Sequence, residues 1–379
     1  LLSQTPDTLT RVGGLSLGPG KLAQAASRSL QAVALRPHDV RFLCNLSIDG
    51  YDACLIVGWI QPMLTLLKLL QDGRFHSGEA LGAALGVSRS AVWKQLQHLE
   101  SELHLPIHKV RGKGYRLERP VSLLESPLLN QDSPWPHRVH ETLDSTNAEV
   151  MRLLSEGAIP PFAVVSERQT AGRGRRGRQW ISPFAQNLYY SLAMRIDGGA
   201  RQLDGLSLVV GLAVLKVLRS FGLIEVGLKW PNDLLSSGRK IAGILLELVG
   251  DPADLCHVII GIGINVNMQN ALEEIDQPWT SMQLESGLLV DRNDLAITLA
   301  KCLREYLERH DREGFGALKS EWEAAHLWQG CAVSLVAGAQ HVDGIVLGVD
   351  AAGAIRLSVA GTERVFSGGE LSLRLRDDS

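Results

Sequence analysis

Apolar residues recur at helical spacing along the chain between residues 63 and 119. A leucine-rich stripe begins at Met63, and Ser77 and Ser88 each stand where a further helix would begin. Residues 86–88 supply a tight Gly-Val-Ser turn between these last two predicted helices. Two short helices joined by such a turn predict a helix-turn-helix, although helical hairpins of this kind also occur in ordinary helical domains.

A different pattern follows after residue 106. Two short runs with apolar residues at both ends, 107–110 (Ile-His-Lys-Val) and 115–117 (Tyr-Arg-Leu), flank Arg111-Gly112-Lys113-Gly114. This arrangement predicts a β-hairpin with a cationic tip. A hairpin of this kind directly after a helix-turn-helix has the form of a wing.

A mixed pattern of strands and helices extends from residue 137 to residue 327. The predicted strands cover 162–166, 188–193, 225–230, 241–249 and 258–266, and the predicted helices cover 145–155, 203–221 and 291–308. Because these elements interleave without strict βαβ order, we expect a mixed α/β fold around one sheet.

Three further segments flank this region. Residues 120–136 contain four prolines among polar residues and predict a linker. Residues 1–62 show no sustained period, so we expect either a disordered extension or sequence upstream of a natural start at Met63. Residues 328–379 alternate apolar and polar positions between glycine turns, which predicts a small β-barrel or sandwich. Its predicted strands are 332–336, 341–349, 354–359, 364–367 and 371–375.

The net charge of −3 excludes a basic field over the whole chain. Residues 63–119 differ, since they hold nine Lys or Arg against five Asp or Glu. This local excess favours DNA binding by the predicted helix-turn-helix and wing. The side chains expected to contact DNA are Ser77, Ser88, Arg89, Ser90, Lys94, Gln97, Lys109, Arg111 and Lys113.

Other features bear on the compartment of the protein. The longest apolar runs fall well short of the roughly 18–20 residues that a membrane-spanning helix needs, so a membrane protein is not expected. Residues 1–20 lack the order of a secretory signal. The five cysteines are widely spaced and form no metal-binding cluster. We therefore expect a cytoplasmic protein with free thiols and no structural zinc.

The most specific stretch is residues 172–178, which contain four arginines and three glycines directly after a strand pattern. Glycine lets a backbone approach a ligand closely, and guanidinium groups bind phosphate or carboxylate in pairs of hydrogen bonds. The stretch is neither a Walker A loop nor a dinucleotide fingerprint. It predicts a small-anion site, with a flexible basic tract or a nucleic-acid patch as the alternatives.

Four other clusters carry candidate chemistry. Residues 229–233 (Lys-Trp-Pro-Asn-Asp) offer a cation, an amide and a carboxylate, which suit phosphate, an adenine edge and Mg²⁺. Lys240 begins an apolar strand, either as a ligand contact or as a solvated gatekeeper. Gly261 and Gly263 interrupt another strand, which favours a flat ligand packed on the backbone or a bulged core strand. Residues 144–147 (Asp-Ser-Thr-Asn) either bind a ligand or only cap a helix.

Together these segments resemble the bifunctional biotin protein ligases, bacterial enzymes that also repress the biotin synthesis operon. The resemblance extends from Met63 to the C-terminus. The matching segments are 77–96, 112–115, 144–147, 169–180, 229–233, 240–244 and 261–265. It implies a winged helix-turn-helix over 63–119, a class II synthetase-like ligase domain with a mixed sheet over 137–327, and an SH3-like β-barrel over 328–379.

The resemblance also implies a role for each matching residue. Arg173, Arg175 and Lys240 would be catalytic, and Asp233 would bind Mg²⁺. Biotin would be bound by Ser145, Thr146, Asn147, Gln169, Arg173, Gly174, Arg175 and Lys240. ATP would be bound by Arg175, Arg178, Trp180, Lys229, Asn232, Asp233, Lys240 and Asn265. No cation in residues 267–270 matches the further nucleotide contacts of the family, so the outer phosphate contacts are left unassigned.

The implied reaction has two steps. The biotin carboxylate attacks the α-phosphorus of MgATP, which gives biotinyl-5′-AMP and pyrophosphate, and a lysine of the biotin carboxyl carrier protein then attacks the mixed anhydride. No protein nucleophile is needed, because the arginines and Lys240 supply charge neutralisation and alignment. The resemblance further implies that biotinyl-5′-AMP is the corepressor and that the ligand-bound protein is a homodimer on operator DNA.

Three other functions remain open on the sequence alone. A lipoate-type ligase would share the architecture but would lack the arginine-glycine signature. A ligand-sensing transcription factor without turnover is argued against by the intact set of charged residues, and ATP-dependent pyrophosphate release with biotin would discriminate it. A DNA-binding protein with an RNA-binding arginine tract would bind polyanions with a steep salt dependence and would ignore biotin.

Overall fold

The structure, a computed structural model, divides the chain into two compact units. The described residues are 65–196, 203–250, 256–270, 275–337, 340–367 and 371–376, with two paired strands, β1 (Ser47–Ile48) and β2 (Tyr51–Asp52). The first unit extends to Leu117 and the second contains Gln71–Gly73 and Glu118–Ser379. Apart from β1 and β2, the predicted extension over 1–62 lies outside the described residues.

Three helices of the first unit lie among its described residues. They are α1, described over 65–70, α2 (Gly78–Leu85) and α3 (Arg89–Leu103). Their leucines recur at helical spacing, so each helix buries one stripe and exposes the other. The buried positions include Leu66, Leu67, Leu70, Leu81, Val92, Leu96 and Leu99.

Side-chain caps define the turn between α2 and α3. Ser77 accepts a hydrogen bond from the Ala80 amide at 3.0 Å, and Ser88 accepts one from the Ala91 amide at 3.2 Å. Gly86 ends α2 in the left-handed conformation, which glycine adopts without steric cost. The predicted helix-turn-helix is therefore confirmed.

The predicted wing is also present. Strand β3 (Ile107–Val110) pairs antiparallel with β4 (Gly114–Leu117), and His76 exchanges two backbone hydrogen bonds with Tyr115. Gly114 has a φ of +103°, and a Cβ there would lie 2.0 Å from the His76 carbonyl oxygen. Only glycine fits at this position, so the hairpin can close against His76 and Ser77, directly before α2.

Residues 120–136, predicted as a linker, are packed into the second unit. They contain α4 (Ser126–Gln131), and Pro127 lies in its first turn, where a backbone N–H is not needed. Four of their apolar side chains are buried: Leu123, Leu124, Leu129 and Trp135. The prolines that suggested a linker are therefore compatible with packing.

Seven strands form the central sheet of the second unit, in the order β5-β6-β7-β11-β10-β9-β8. Strand β5 pairs with β6 in parallel, and the other five neighbouring pairs are antiparallel. This is the predicted mixed sheet, with β5 and β9 as strands that the apolar pattern did not indicate. The strands are β5 (His137–Leu143), β6 (Phe162–Gln169), β7 (Leu188–Ile196), β8 (Val226–Lys229), β9 (Asp233–Ser236), β10 (Arg239–Gly250) and β11 (Cys256–Ile264).

Helices cover the two faces of this sheet. Helices α6 (Leu206–Ser220) and α8 (Arg292–Glu313) pack on one face, which holds the large core of the unit. Helix α5 (Thr146–Ser155) packs on the opposite face, against a smaller cluster that includes Val164 and Ile259. Two shorter helices follow along the chain, α7 (Met282–Ser286) and α9 (Lys319–Ala325). No helix among the described residues is both long and apolar enough to span a bilayer.

A second, five-stranded antiparallel sheet lies near the C-terminus, in the order β15-β14-β13-β12-β16. Its strands are β12 (Ala332–Ala337), β13 (Gln340–Val349), β14 (Ile355–Val359), β15 (Thr362–Phe366) and β16 (Leu371–Leu375). The pairing places β15 and β16 at opposite edges, so closure into an SH3-like barrel is not confirmed. Trp230 links this sheet to the end of β8, since its Nε1 donates to the Gly353 carbonyl at 3.0 Å.

We expect the free energy of unfolding to fall as the pH decreases from about 6.5 to about 4. Burial lowers the pKa of His137 and of His326 from 6.5 to about 4. The unfolded chain therefore takes up protons below pH 6.5, whereas the folded chain does not until about pH 4. The stabilisation that the two neutral histidines contribute is complete above about pH 6.5 and is lost as the pH falls to about 4. Urea unfolding at several pH values measures this loss.

His326→Leu tests this cause directly. The ring of His326 is 5% exposed and stacks on Trp322 with ring centres 4.6 Å apart. The variant should lose less stability than wild type between about pH 7 and 4, by about 1–3 kcal/mol. His341→Leu, at an exposed position, is the matched control. An unchanged pH dependence in His326→Leu would contradict the assignment.

Candidate active site

A cavity opens on the α5 face of the central sheet, beside the first turn of α5. Its walls come from that turn, from the loop after β6, from the β8–β9 turn, and from strands β7, β10 and β11. The lining residues are Ser145, Thr146, Asn147, Gln169, Arg173, Gly174, Arg175, Trp180, Tyr189, Asn232, Lys240, Gly243, Ile244, Leu245, Gly261, Ile262 and Gly263. The fold thus brings to one place segments that the sequence analysis singled out separately.

Alternate residues of three neighbouring strands form the cavity floor. Gly261 of β11 lies opposite Ser191 of β7 and opposite Leu245 of β10. Since side chains alternate between the faces of a sheet, these residues share one face. The next row on that face contains Tyr189, Gly263 and Gly243. Three of the six positions are glycine. Because these residues have no side chain, they leave space above the sheet between the larger residues around them.

A network of short polar side chains fixes the first turn of α5. Ser191 is fully buried, and its hydroxyl lies 2.7 Å from Thr146 Oγ1 and 2.5 Å from Asn147 Oδ1. The Thr146 amide donates to Gln169 Oε1 at 2.9 Å, and Gln169 Nε2 donates to Ser182 Oγ at 3.0 Å. Ser191 was not among the predicted site residues. Its position directly opposite Gly261 is the signal that identifies it once the strand register is known.

Capping alone does not account for residues 144–147. Ser145 occupies the N-cap position of α5, but its side chain makes no capping hydrogen bond, and it is buried at the cavity wall. Asp144 accepts two hydrogen bonds from the Arg152 guanidinium, at 2.9 and 2.7 Å, which hold the loop before the helix. The hydroxyl of Ser145 is therefore placed at the cavity without serving as a helix cap.

Glu247, on β10, connects two predicted site residues. Its Oε2 accepts from Asn147 Nδ2 at 2.7 Å and from Arg173 Nη2 at 2.9 Å. Glu247 was not among the predicted site residues. It lies two residues beyond Leu245 on the same strand, and so on the face that forms the cavity floor.

The arginine-glycine loop runs along the cavity rim and folds back on itself. The Gly174 amide donates to the Arg178 carbonyl at 2.7 Å, around a short 3₁₀ turn over Arg175–Gly177. At Gly172 a Cβ would lie 2.4 Å from the Trp180 carbonyl oxygen, so glycine is required where the loop begins. The loop is therefore an ordered part of the second unit rather than a flexible basic tract.

Arg175 reaches from this loop to the turn between β8 and β9. Its Nη1 donates to Asn232 Oδ1 at 2.9 Å, and Asn232 Nδ2 donates to the Ile244 carbonyl at 2.8 Å. Burial lowers the pKa of Arg175, and the nearby Asp233 carboxylate opposes that effect. The guanidinium stays cationic at neutral pH, because arginine is not deprotonated in proteins.

Two lysines converge on Asp233. Lys240 Nζ lies 2.7 Å from Asp233 Oδ1, and Lys229 Nζ lies 3.7 Å from Oδ2. Burial lowers the pKa of Lys229, although Asp233 opposes the shift. The Lys240 side chain is only 15% exposed and its Nζ lies 5.4 Å from the centre of the Trp180 ring, which disagrees with a solvated gatekeeper. Two cations against one carboxylate leave net positive charge beside the cavity.

Four predicted nucleotide contacts lie outside the cavity lining. Arg178 is exposed on the outer side of the loop. Asn265 is buried, and its amide donates to the carbonyls of Lys240 and Thr280 at 3.3 and 3.0 Å, so it fixes backbone next to the site. Lys229 and Asp233 adjoin the cavity through Lys240. Their roles toward nucleotide stay predictions.

The glycine floor carries side chains of the protein itself. A Cβ on Gly263 would lie 2.5 Å from Trp180 Cε2, so the indole rests directly on bare backbone. Asn147 lies on Gly261 in the same way, since a Cβ on Gly261 would lie 2.4 Å from Asn147 Oδ1. Strand β11 pairs with both neighbours without a register shift, so it is not a bulged strand. The close approach predicted for a flat ligand is thus made here by Trp180 and Asn147.

The donor set near the cavity is poor in metal ligands. No group of three or more His, Cys, Asp or Glu suited to a metal occurs in the part of the chain that the structure describes. Asp233 offers one carboxylate and already binds ammonium groups. A Mg²⁺ ion here would take most of its oxygens from a bound ligand and water. Cys256, Cys302 and Cys331 are free thiols, as predicted, and the other two cysteines lie outside the described residues.

The predicted DNA-contacting side chains of the first unit are all exposed. On the helices these are Ser77, Ser88, Arg89, Ser90, Lys94 and Gln97, and on the wing they are Lys109, Arg111 and Lys113. Two of the wing cations are near aromatic rings, since Lys109 Nζ lies 5.9 Å from the centre of the Tyr115 ring and Lys113 Nζ lies 5.9 Å from that of Phe75.

Gly261→Ala is expected to weaken ligand binding in the cavity about tenfold or more. The new methyl group would press on Asn147, and Asn147 cannot yield easily because Ser191 and Glu247 hold both ends of its amide. Isothermal titration measures the affinity. Gly316→Ala is the matched control, because a Cβ there meets nothing within 4 Å. Equal affinities in the two variants would contradict this account of the floor.

Comparison with known proteins covers both units. A helix-turn-helix domain model matches residues 63–116, and the biotin/lipoate A/B protein ligase family model matches residues 139–265. The chain is 41% identical over 322 residues to the bifunctional ligase/repressor BirA of Salmonella typhimurium. It is also 41% identical over 313 residues to the bifunctional ligase/repressor BirA of Escherichia coli. Each match covers 82% of this chain and 97% of the relative.

The fold is similar to that of a solved enzyme. The structure of the biotin protein ligase from Aquifex aeolicus in complex with biotin and ATP superposes with a TM-score of 0.56 at 31% identity. The match covers 63% of this chain and 99% of that one.

Proposed function

The chain belongs to the family of bifunctional biotin protein ligases and repressors, and on that basis we propose how its residues perform the two activities. It is a biotin protein ligase with a helix-turn-helix repressor domain. The observation that carries the proposed site is the convergence on one cavity of the start of α5, the arginine-glycine loop and Lys240.

Biotin lies in the cavity in this proposal, in contact with the side chains of Asn147 and Trp180 that cover the glycine floor. Ser145, Thr146, Asn147 and Gln169 bind the ureido ring or the valerate chain, which places a fixed set of polar groups at the end of the ligand away from its carboxylate. Arg173, Gly174, Arg175 and Lys240 surround the biotin carboxylate. A cavity with net positive charge at one end suits a ligand with one terminal carboxylate.

The first step joins two anions, and the charged residues act on that step. A carboxylate oxygen of biotin bonds to the α-phosphorus of ATP while the bond to the leaving pyrophosphate breaks. Arg175 and Lys240 lower the repulsion between carboxylate and phosphate and stabilise the charge that develops on the α-phosphoryl oxygens. The nucleotide is further held by Arg178, Trp180, Lys229, Asn232 and Asn265. Closure of the loop over the mixed anhydride excludes water.

The second step uses a lysine of the biotin carboxyl carrier protein. Its neutral ε-amine attacks the carbonyl carbon of biotinyl-5′-AMP, AMP leaves, and the amine loses its proton. The chain supplies no nucleophile and holds the anhydride in place until the amine arrives.

Mg²⁺ enters as part of the substrate MgATP. Asp233 is the residue proposed to give it one oxygen ligand, and the phosphates and water give the rest. Asp233 also holds Lys240, so its substitution affects both the ion and the lysine. For this reason Asp233 variants alone do not separate its role as a Mg²⁺ ligand from its role as the partner of Lys240. The Mg²⁺ dependence of the Lys240→Ala protein, in which the second role is absent, separates them.

Regulation couples the site to the first unit. We propose that biotinyl-5′-AMP acts as corepressor, that the ligand-bound protein forms a homodimer, and that the dimer presents two wings to two half-sites of operator DNA. The protein would work in the cytoplasm, where carrier protein and DNA are both accessible.

The ligase activity is tested by labelling a purified biotin carrier domain with the full chain, biotin and MgATP, read by intact mass. A mass gain of one biotinyl group on one lysine is expected, and the reaction without ATP should give none. Absence of labelling despite tight biotin binding would favour a sensor without turnover. Absence of any binding would overturn the proposed function.

Charge removal at the wing tip should weaken DNA binding uniformly across sequences. Arg111 and Lys113 are exposed cations placed to meet phosphate, so each alanine variant should reduce the slope of log affinity against log salt by about 0.9. Fluorescence anisotropy with operator and non-operator duplexes at several salt concentrations measures it. Lys301→Ala, which removes an exposed cation from α8, is the control and should leave the slope unchanged.

A further inference from the structure

We propose that Glu247 is a positioning residue that couples the biotin pocket to the arginine-glycine loop. The proposal rests on the ligase function proposed above and deepens it. One carboxylate oxygen, Oε2, accepts hydrogen bonds from Asn147 at 2.7 Å and from Arg173 at 2.9 Å. Asn147 belongs to the pocket and Arg173 belongs to the loop, so Glu247 is a shared partner of both.

The orientation of the Asn147 amide depends on this carboxylate. Asn147 Oδ1 lies 2.5 Å from the Ser191 hydroxyl, which can donate to it, and Nδ2 donates to Glu247, which can only accept. The two partners therefore fix which end of the amide faces which way. One Nδ2 hydrogen and one Oδ1 lone pair remain for a ligand. A neutral side chain at position 247 would weaken the preference for this orientation.

The arginine-glycine loop is held by the same Glu247 carboxylate through Arg173. The Arg173 side chain is 42% exposed, and its Nη2 forms an ion pair with Glu247, whose side chain is 21% exposed. Arg173 also lies at the start of the folded-back segment, since it forms a bridge with Gln179. Release of Arg173 would leave a half-buried carboxylate with the Asn147 amide as its remaining described partner, which is unfavourable.

Strand β10 makes this connection rigid. Glu247 lies opposite Ile259 of β11, which is buried, and it shares the cavity face with Leu245 and Gly243. A carboxylate on a central strand moves less than one on a loop. A ligand that immobilises Asn147 therefore also fixes the acceptor that Arg173 needs. By linkage, retention of Arg173 on this carboxylate must favour ligand binding to the same extent.

Trypsin reports on the loop directly, because residues 172–178 contain four arginines. The full chain is digested with and without biotin, cleavage within 172–178 is quantified by mass spectrometry, and the biotin dissociation constant is measured by isothermal titration. Biotin should slow cleavage of the wild-type loop. In Glu247→Gln, which keeps an acceptor for Asn147 but removes the charge for Arg173, this protection should be largely lost. In Glu247→Ala the dissociation constant should also rise roughly 5- to 20-fold.

Glu305→Gln is the matched control. It removes a carboxylate that pairs with Lys216 on the outside of the helices, and it should leave both readings unchanged. The unfolding midpoint of each variant separates a local effect from misfolding. In a double-mutant cycle, the effects of Asn147→Ala and Glu247→Ala on the biotin dissociation constant should not be additive, and the difference should exceed the error of measurement.

The outcomes separate the two proposals. Wild-type protein that does not bind biotin would overturn the ligase function and the coupling together. Wild-type binding with unchanged loop protection and affinity in both Glu247 variants would overturn the coupling alone, as would variants that only lose thermal stability.

Discussion

Arg175→Ala is expected to slow the single-turnover formation of biotinyl-5′-AMP about 10²- to 10³-fold, or to release that intermediate early, while the fold stays intact. Arg175 is half-buried at the cavity and donates to Asn232, whose position is fixed by the Ile244 carbonyl. Its charge is therefore held in place before substrates arrive, and no reorganisation is needed during the reaction. Because Arg175 lies in a loop outside both sheets, its loss should not change the unfolding midpoint.

Quenched-flow measurement of biotinyl-5′-AMP, followed by filtration to measure its retention, tests the expectation. Arg176→Ala is the matched control, because Arg176 is the exposed neighbour in the same loop and does not line the cavity. Arg175→Lys keeps the positive charge but loses the paired donors of the guanidinium. Its rate of biotinyl-5′-AMP formation should lie between those of Arg175→Ala and Arg176→Ala. If Arg175→Ala forms and retains biotinyl-5′-AMP as the wild type does, the proposed role of Arg175 in the first step is wrong.

Arg292→Met is expected to lower the free energy of unfolding of the second unit by about 3–5 kcal/mol. Arg292 is the first residue of α8, is 0% exposed, and forms an ion pair with Glu167 of β6. It also donates to the Ser122 carbonyl at 2.8 Å and to the Asn187 carbonyl at 2.9 Å. Removal of the guanidinium leaves a buried carboxylate without its charge partner.

Urea unfolding measures this loss, and two variants define its origin. Lys301, like Arg292, lies on α8, and Lys301→Ala breaks an exposed ion pair with Asp132 at the end of α4, which should cost less than about 1 kcal/mol. In Arg292→Met with Glu167→Gln, no unpaired charge is left, so part of the loss should be recovered. A double variant as unstable as the single one would show that the cost comes from packing instead.

The DNA-binding unit was predictable from sequence because its determinants are local. Ser77 and Ser88 lie three residues before the amides that they cap, and the wing joins adjacent segments. The strand register of the second unit was not predictable in this way. Strand β11 pairs with β7, whose residues lie at least 60 positions earlier in the chain, and no local pattern encodes that pairing.

The site was predictable only as separate segments. The loop over 172–178 and residues 229–233 stand out because their composition is unusual. Ser191 and Glu247 were missed because one serine and one glutamate in apolar strands carry no local signal. They become visible only when the pairing of β7, β11 and β10 places them on the cavity face. The folding of residues 120–136 into the core was missed for a related reason, since proline content alone does not distinguish a linker from a packed segment.

The strand order has a consequence for synthesis on the ribosome. Strand β11 lies between β7 and β10 in the sheet, although both of them precede it in the chain. A nascent chain that stops before Ile264 therefore lacks the middle of the cavity floor, whereas the described helices and strands of the helix-turn-helix and wing all lie within residues 65–117. A DNA-binding fold should thus exist on the ribosome well before any pocket able to sense biotin.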